Sequence, residues 1–168
     1  MMDMTIETEG EDLEMVFEYA KGLDYVDKGR FSLVGESMGG FVSAVVGAKI
    51  ATGLRSMVLW YPAFNIPEDA KKRMAQGSTD PMGIKISPEF DPVVSAINVK
   101  DFQSVFTKPV CIIHGNVDKI VPIENSYKAL GVYPNAKLHV IDGADHGFDG
   151  ADSDRARALT IDFLRETC

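Results

Sequence analysis

Arg30-Phe31-Ser32-Leu33-Val34-Gly35-Glu36-Ser37-Met38-Gly39-Gly40 is the stretch on which the reading of this chain turns. A short apolar run enters Gly35-Glu36-Ser37-Met38-Gly39, and a helix-like run follows from Gly40 to Ala51. Strand, G-x-S-x-G, helix is the context of a nucleophile elbow, a turn sharp enough to lift a serine hydroxyl above a sheet. Side chains two residues either side of that serine would collide, so glycine is expected to be needed at both Gly35 and Gly39. The helix start would bring backbone N–H groups to an oxyanion. Chance alone produces G-x-S-x-G in about one chain in ten of this length, so the flanks decide the matter. Phe31, Leu33 and Val34 have strand character. Phe41, Val42, Ala44, Val45, Val46, Ala48 and Ile50 make the next segment apolar on nearly every side, as in a helix buried under a sheet. The plainer reading is a glycine-rich turn carrying an ordinary surface serine.

Working outward, helix and strand signals alternate, the pattern of a parallel α/β sheet. Thr8-Glu9-Gly10-Glu11 reads as a capping box, followed by Leu13, Val16, Phe17 and Ala20 at helical spacing. Arg55–Tyr61 is a second predicted strand, stopped by Pro62; Val110–His114 is a third and Lys137–Ile141 a fourth. A helix from about Ile123 to Leu130 separates the last two, and Ala156, Leu159, Phe163 and Leu164 mark a final amphipathic helix. Residues 63–106 break the rhythm. That segment is too long for a simple connection and carries Pro67, Pro81, Pro88 and Pro92 among charged residues. It is expected to be a cap inserted between two core segments, 1–62 and 107–168; a partly disordered loop is the alternative.

At 168 residues the chain suits one domain with a real core. Its net charge of −8 argues against nucleic acid or an anionic membrane as partner. No run approaches transmembrane length, and Met1-Met2-Asp3-Met4 is acidic where a signal peptide would be basic. The two cysteines make no framework: Cys111 lies in an apolar strand and Cys168 is the last residue. No metal-ligand cluster is expected. No cofactor is expected either, and the expected compartment is a reducing cytoplasm.

Ligands of open parallel sheets bind beyond the carboxyl ends of the strands. Gly115-Asn116-Val117-Asp118 follows the third strand, and Asp142-Gly143-Ala144-Asp145-His146-Gly147-Phe148 the fourth. A serine hydroxyl needs a base, and an imidazole base needs a carboxylate to set its tautomer and stabilise its charge. Of the three histidines, His139 lies inside a strand and His114 closes one, so both read as structural; His146 is in a loop at the right edge. Asp118 competes with Asp142, Asp145 and Asp149 for the role of acid. It is preferred because it follows the penultimate strand, with Asp142 or Asp145 as loop caps.

These segments together resemble the α/β-hydrolase superfamily, and within it the bacterial feruloyl (cinnamoyl) esterase-like hydrolases. Leu33–Gly40, Thr107–Gly115 and Ile141–His146 carry the resemblance, with Asp3-Met4-Thr5 and the acidic helix after it. It implies a three-layer α/β sheet of about four core strands. It further implies Ser37, Asp118 and His146 as triad and Met38 as donor of one oxyanion-hole N–H. Glu36 departs from the histidine common at that position. Those esterases also begin with strands, and a His-Gly loop supplying a second oxyanion N–H, that have no counterpart before Ser37. The chain therefore looks like an N-terminally truncated version, and the elbow strand is expected to be an exposed edge inviting homodimerisation. The leading expectation is a serine hydrolase acting on a small-molecule carboxylic ester. Trp60, Tyr61 and Phe64 are candidates for an apolar acyl pocket or, equally, for core packing. A prolyl-oligopeptidase-like peptidase and a silent, self-associating fragment are the competing readings.

Overall fold

The computed structural model describes residues 4–78 and 86–167. Met1–Asp3, part of the predicted cap including Pro81, and Cys168 lie outside the described residues. Four parallel strands stand side by side in chain order: β1 (Ser32–Glu36), β2 (Ser56–Trp60), β3 (Val110–Gly115) and β4 (Ala136–Ile141). The helices are α1 (Ile6–Lys21), α2 (Ser37–Lys49), α3 (Ile66–Gln76), α4 (Phe90–Ser95), α5 (Val99–Val105), α6 (Glu124–Leu130) and α7 (Gly150–Thr167). This is the expected three-layer α/β arrangement.

Alternation along each strand sends successive side chains to opposite faces. Leu33, Met57, Leu59, Val110 and Ile112 pack with Phe41, Ala44 and Val46 of α2, against which α1 also packs. Val58, Cys111, Ile113 and Ile141 pack on the other face with Ala156, Leu159 and Phe163 of α7. Covered on both faces, β2 and β3 read as continuous apolar runs instead of alternating ones. Among the described residues β1 and β4 are the sheet edges, and Val34 of β1 is 53 % exposed because α7 packs on β2 and β3.

The first helix begins one turn earlier than the sequence pattern suggested. Thr5 is its N-cap: the Thr8 N–H donates to Thr5 Oγ1 at 3.1 Å, and the Thr5 N–H donates to Thr8 Oγ1 at 2.9 Å. Threonine thus completes the capping box that Glu11 was expected to close, because its short hydroxyl already reaches back to the cap N–H.

Within 63–106 the described residues form helices. Pro67 sits in the first turn of α3, where its missing N–H costs no hydrogen bond. Arg73 grips Asp91 with two bonds, of 3.0 and 2.6 Å, tying α3 to α4. Phe102 of α5 meets Phe41 of α2 edge-on at 5.7 Å. This segment is therefore anchored to the sheet layers on the side of α2.

The parallel register aligns the carboxyl ends of the strands, pairing Glu36 with Trp60 and Gly115 with Ile141. Ser37, Tyr61, Asp118 and His146 are all reached by the chain just after leaving that edge.

Candidate active site

At the end of β1 the chain reverses into α2 within one residue, and Ser37 takes φ +50°. A serine in the left-handed region is strained and persists only where its surroundings impose it. Two contacts impose it here. The Ala63 N–H donates to the Ser37 carbonyl at 3.0 Å. A Cβ on Gly35 would run into the Gly39 carbonyl oxygen and come within 2.5 Å of Ser43 Oγ, so only glycine lets the helix close onto the strand. The expectation for Gly39 is corrected: a Cβ there would meet nothing within 4 Å. The crowding is one-sided, because the Gly39 carbonyl presses on Gly35 while its own Cα faces open space.

The loops after β3 and β4 bring an acid and a base to this serine. His146 Nε2 lies 3.0 Å from Ser37 Oγ, and His146 Nδ1 lies 2.8 Å from Asp118 Oδ2. The Asp118 side chain is fully buried and that of His146 is 16 % exposed, so the line runs from interior to surface. Asp118 Oδ1 accepts the N–H groups of Ile120 at 2.9 Å and Val121 at 2.8 Å, which orients the carboxylate.

Asp142 and Asp145, the competing acids, join the two loops to each other. Asp145 Oδ1 accepts the N–H of Lys119 at 3.0 Å and of His146 at 2.8 Å, while Oδ2 pairs with Lys119 Nζ at 3.0 Å. The Lys119 backbone N–H, then that of His146, hold its carboxyl down at about 2. Asn116 Nδ2 donates to Asp142 Oδ1 at 2.7 Å, and the Gly143 N–H returns a bond to Asn116 Oδ1 at 2.8 Å. Gly115 permits the close approach, since a Cβ there would fall on the Ala144 carbonyl. Among the described residues, the hydrogen bonds of the imidazole go to Ser37 and Asp118.

Met38 stands in the first turn of α2, where a backbone N–H has no intrahelical carbonyl to satisfy it. It lines, with Ser37, a cavity of about 610 Å³ whose apolar wall includes Ile66, Ile86, Phe90 and Ile120. Asn65, Asp69, Arg73 and Lys119 supply its polar rim. Trp60, Tyr61 and Phe64 do not line this cavity. Trp60 turns away and donates its indole N–H to Thr160 Oγ1 of α7 at 2.9 Å. Phe64 is buried and stacks toward Phe102 at 6.1 Å, lining a separate cleft. After the turn at Pro62, Ala63, Asn65 and Ile66 line the cavity beside Ser37 instead.

Tyr61 does something local sequence could not announce. It is 3 % exposed with φ +35°, its hydroxyl donates to Glu36 Oε2 at 2.7 Å, and its ring lies 4.6 Å from the His146 ring. Burial first, then the bond to Glu36, pushes its hydroxyl well above the usual phenol range, so it remains a donor. Glu36, between Gly35 and Ser37 in the elbow, is therefore partnered by the residue that follows the neighbouring strand β2. His114, expected to be structural, is fully buried with Nε2 at 3.3 Å from Asp118 Oδ2. Among the described residues no group of three or more His, Cys, Asp or Glu is placed to hold a metal ion. Nor is any of their helices long and apolar enough to cross a membrane.

The model of the Uncharacterised protein family UPF0227 matches residues 13–163. The chain belongs to that family. No curated protein matches it. Among solved structures, this UPF0227 member is similar to Est1E from Butyrivibrio proteoclasticus, with 29 % identity and a TM-score of 0.87 over 97 % of this chain and 71 % of that one. It is similar also to Est1E with ferulic acid bound, at 28 % identity and TM-score 0.84, covering 99 % of this chain and 70 % of the other. Alpha/beta hydrolase domain-containing protein 10 from mouse shares the fold at 20 % identity, TM-score 0.76, over 98 % of this chain and 70 % of that one. The Paleococcus ferrophilus monoacylglycerol lipase does so at 16 % identity, TM-score 0.74, over 98 % and 77 %. The fold of this UPF0227 chain is thus that of the α/β-hydrolases, esterases and lipases among them.

Proposed function

We propose that this protein is a serine hydrolase cleaving carboxylic esters through an acyl-enzyme on Ser37. The observation that carries the reading is the hydrogen-bonded line from Asp118 through His146 to Ser37, ending at an apolar cavity. His146 Nε2 takes the Ser37 proton as Oγ attacks the ester carbonyl, and Asp118 stabilises the imidazolium that forms. The Met38 N–H faces the developing oxyanion. His146 then protonates the departing alcohol, and a water activated by the same nitrogen releases the acid.

The cavity volume suits a ligand of drug-like size, and its apolar wall favours a short acyl or hydroxycinnamoyl group. The ferulic acid held by Est1E supports that choice of acyl class. Residues 63–106 serve as cap in this reading, because Ala63, Ile66, Arg73 and Phe90 contribute to the cavity. A series of p-nitrophenyl acyl esters, methyl ferulate and a proline-containing peptide amide tests the substrate class. Esters are expected to be turned over and the amide left intact; preferential amide cleavage would transfer the protein to the peptidases.

The edge position of β1 favours a second property, self-association. β1 stands at the end of the strand order β1-β2-β3-β4, and its Val34 is 53 % exposed. Light scattering of the 168-residue chain is expected to give the mass of a dimer, and a monodisperse monomer would remove edge pairing.

A further inference from the structure

We infer that His114 is a positioning residue for the Asp118–His146 pair: its Nε2–H, bonded to the Val121 carbonyl, lies beside Asp118 Oδ2 and limits how much of that carboxylate's charge reaches the His146 ring. The inference rests on the esterase reading only in its name for the pair; the geometry stands without it. His114 closes β3 with its side chain fully buried, and its two ring nitrogens have different neighbours. Nε2 lies 3.0 Å from the Val121 carbonyl and 3.3 Å from Asp118 Oδ2. Nδ1 lies 2.7 Å from Ser126 Oγ.

These neighbours determine where the proton sits. A carbonyl oxygen can only accept, so Nε2 must carry hydrogen. Nδ1 then accepts from the Ser126 hydroxyl, and the ring is neutral. Burial pushes the His114 imidazole below the ordinary histidine range, outweighing the Val121 bond and the nearby Asp118, which agrees with a neutral ring. The neutral ring gives its one N–H to the Val121 carbonyl, with Asp118 Oδ2 3.3 Å from the same nitrogen.

Asp118 therefore collects three hydrogen bonds, with His114 Nε2 as a further close nitrogen, on a carboxylate with no solvent contact. Ile120 and Val121 N–H groups address Oδ1, while His146 Nδ1 and His114 Nε2 converge on Oδ2. Two imidazoles share one oxygen, so charge drawn toward His114 is unavailable to an imidazolium at His146. Other ionisable groups facing the pair are few. Tyr61 stacks on the His146 ring with its hydroxyl committed to Glu36, and Asp145 binds the His146 backbone N–H while paired with Lys119. None of these touches Asp118 Oδ2, which singles out His114 as the side chain able to compete for it.

Two amide substitutions separate the contribution of each nitrogen. Glutamine carries its NH₂ near the Nε2 position and keeps an N–H beside Asp118; asparagine reaches only to the Nδ1 position and loses it. NMR titration of the His146 ring is expected to move up by about 1 pH unit in His114→Asn and to stay near the parent value in His114→Gln. Equal movement in both variants, or none in His114→Asn, would overturn the inference. The unaltered chain gives a second test that needs no variant to fold: its ¹⁵N spectrum must show the His114 proton on Nε2. A proton on Nδ1 sinks the proposal. Neither readout depends on turnover, so failure of Ser37 to acylate would remove the esterase reading and leave this one standing.

Discussion

Replacing Ser37 by alanine is expected to abolish labelling by a fluorophosphonate and to reduce ester turnover to the buffer background, a loss on the order of 10⁶-fold for a fully active site. The reagent reacts with a hydroxyl only where a base removes its proton, and Ser37 Oγ is 3.0 Å from His146 Nε2. The melting temperature should stay near that of the parent. Ser37 is partly exposed, and alanine tolerates φ +50° no worse than serine does. Circular dichroism and mass spectrometry of the labelled protein make the comparison direct. Labelling that persists at another serine in Ser37→Ala would remove the nucleophile.

Asp118→Asn should lower kcat by about 10⁴-fold with KM little changed. The size follows from what surrounds the carboxylate. Oδ1 faces two backbone N–H donors, so an asparagine must keep its carbonyl there and turn its NH₂ toward the two imidazoles. His146 Nδ1 would then have to accept, leaving the proton on Nε2, where it blocks removal of the serine proton. Asp145→Asn is the informative companion. It retains an oxygen for the Lys119 and His146 N–H groups and leaves the imidazole's own partner in place, so its loss should be far smaller. An Asp118→Asn enzyme keeping a tenth or more of the parent kcat would show that another acid serves His146.

Local rules determined much of this protein from its sequence alone. A five-residue turn with Gly35 before the serine, an apolar run on either side and polar loops after each strand require no distant partner. They announced a parallel α/β sheet with its chemistry at one edge, and they singled out the loop histidine from the two in or at the ends of strands. Tertiary structure decided the rest, because the deciding contacts join residues far apart in the chain. Which of four aspartates faces the imidazole depends on bonds 26 to 28 residues apart that lock the two loops together. Glu36 finds Tyr61 only because β1 and β2 lie in register. Of the aromatic residues at the end of β2, Trp60 turns to α7, Phe64 packs on Phe102 and only Tyr61 reaches the His146 ring, and Gly39 is free where Gly35 is not because the helix presses from one side. Side-chain direction along a strand or helix is periodic and so can be read locally. The direction of a loop carboxylate is set by whichever backbone N–H groups the packed sheet delivers to it, and only the folded chain specifies those.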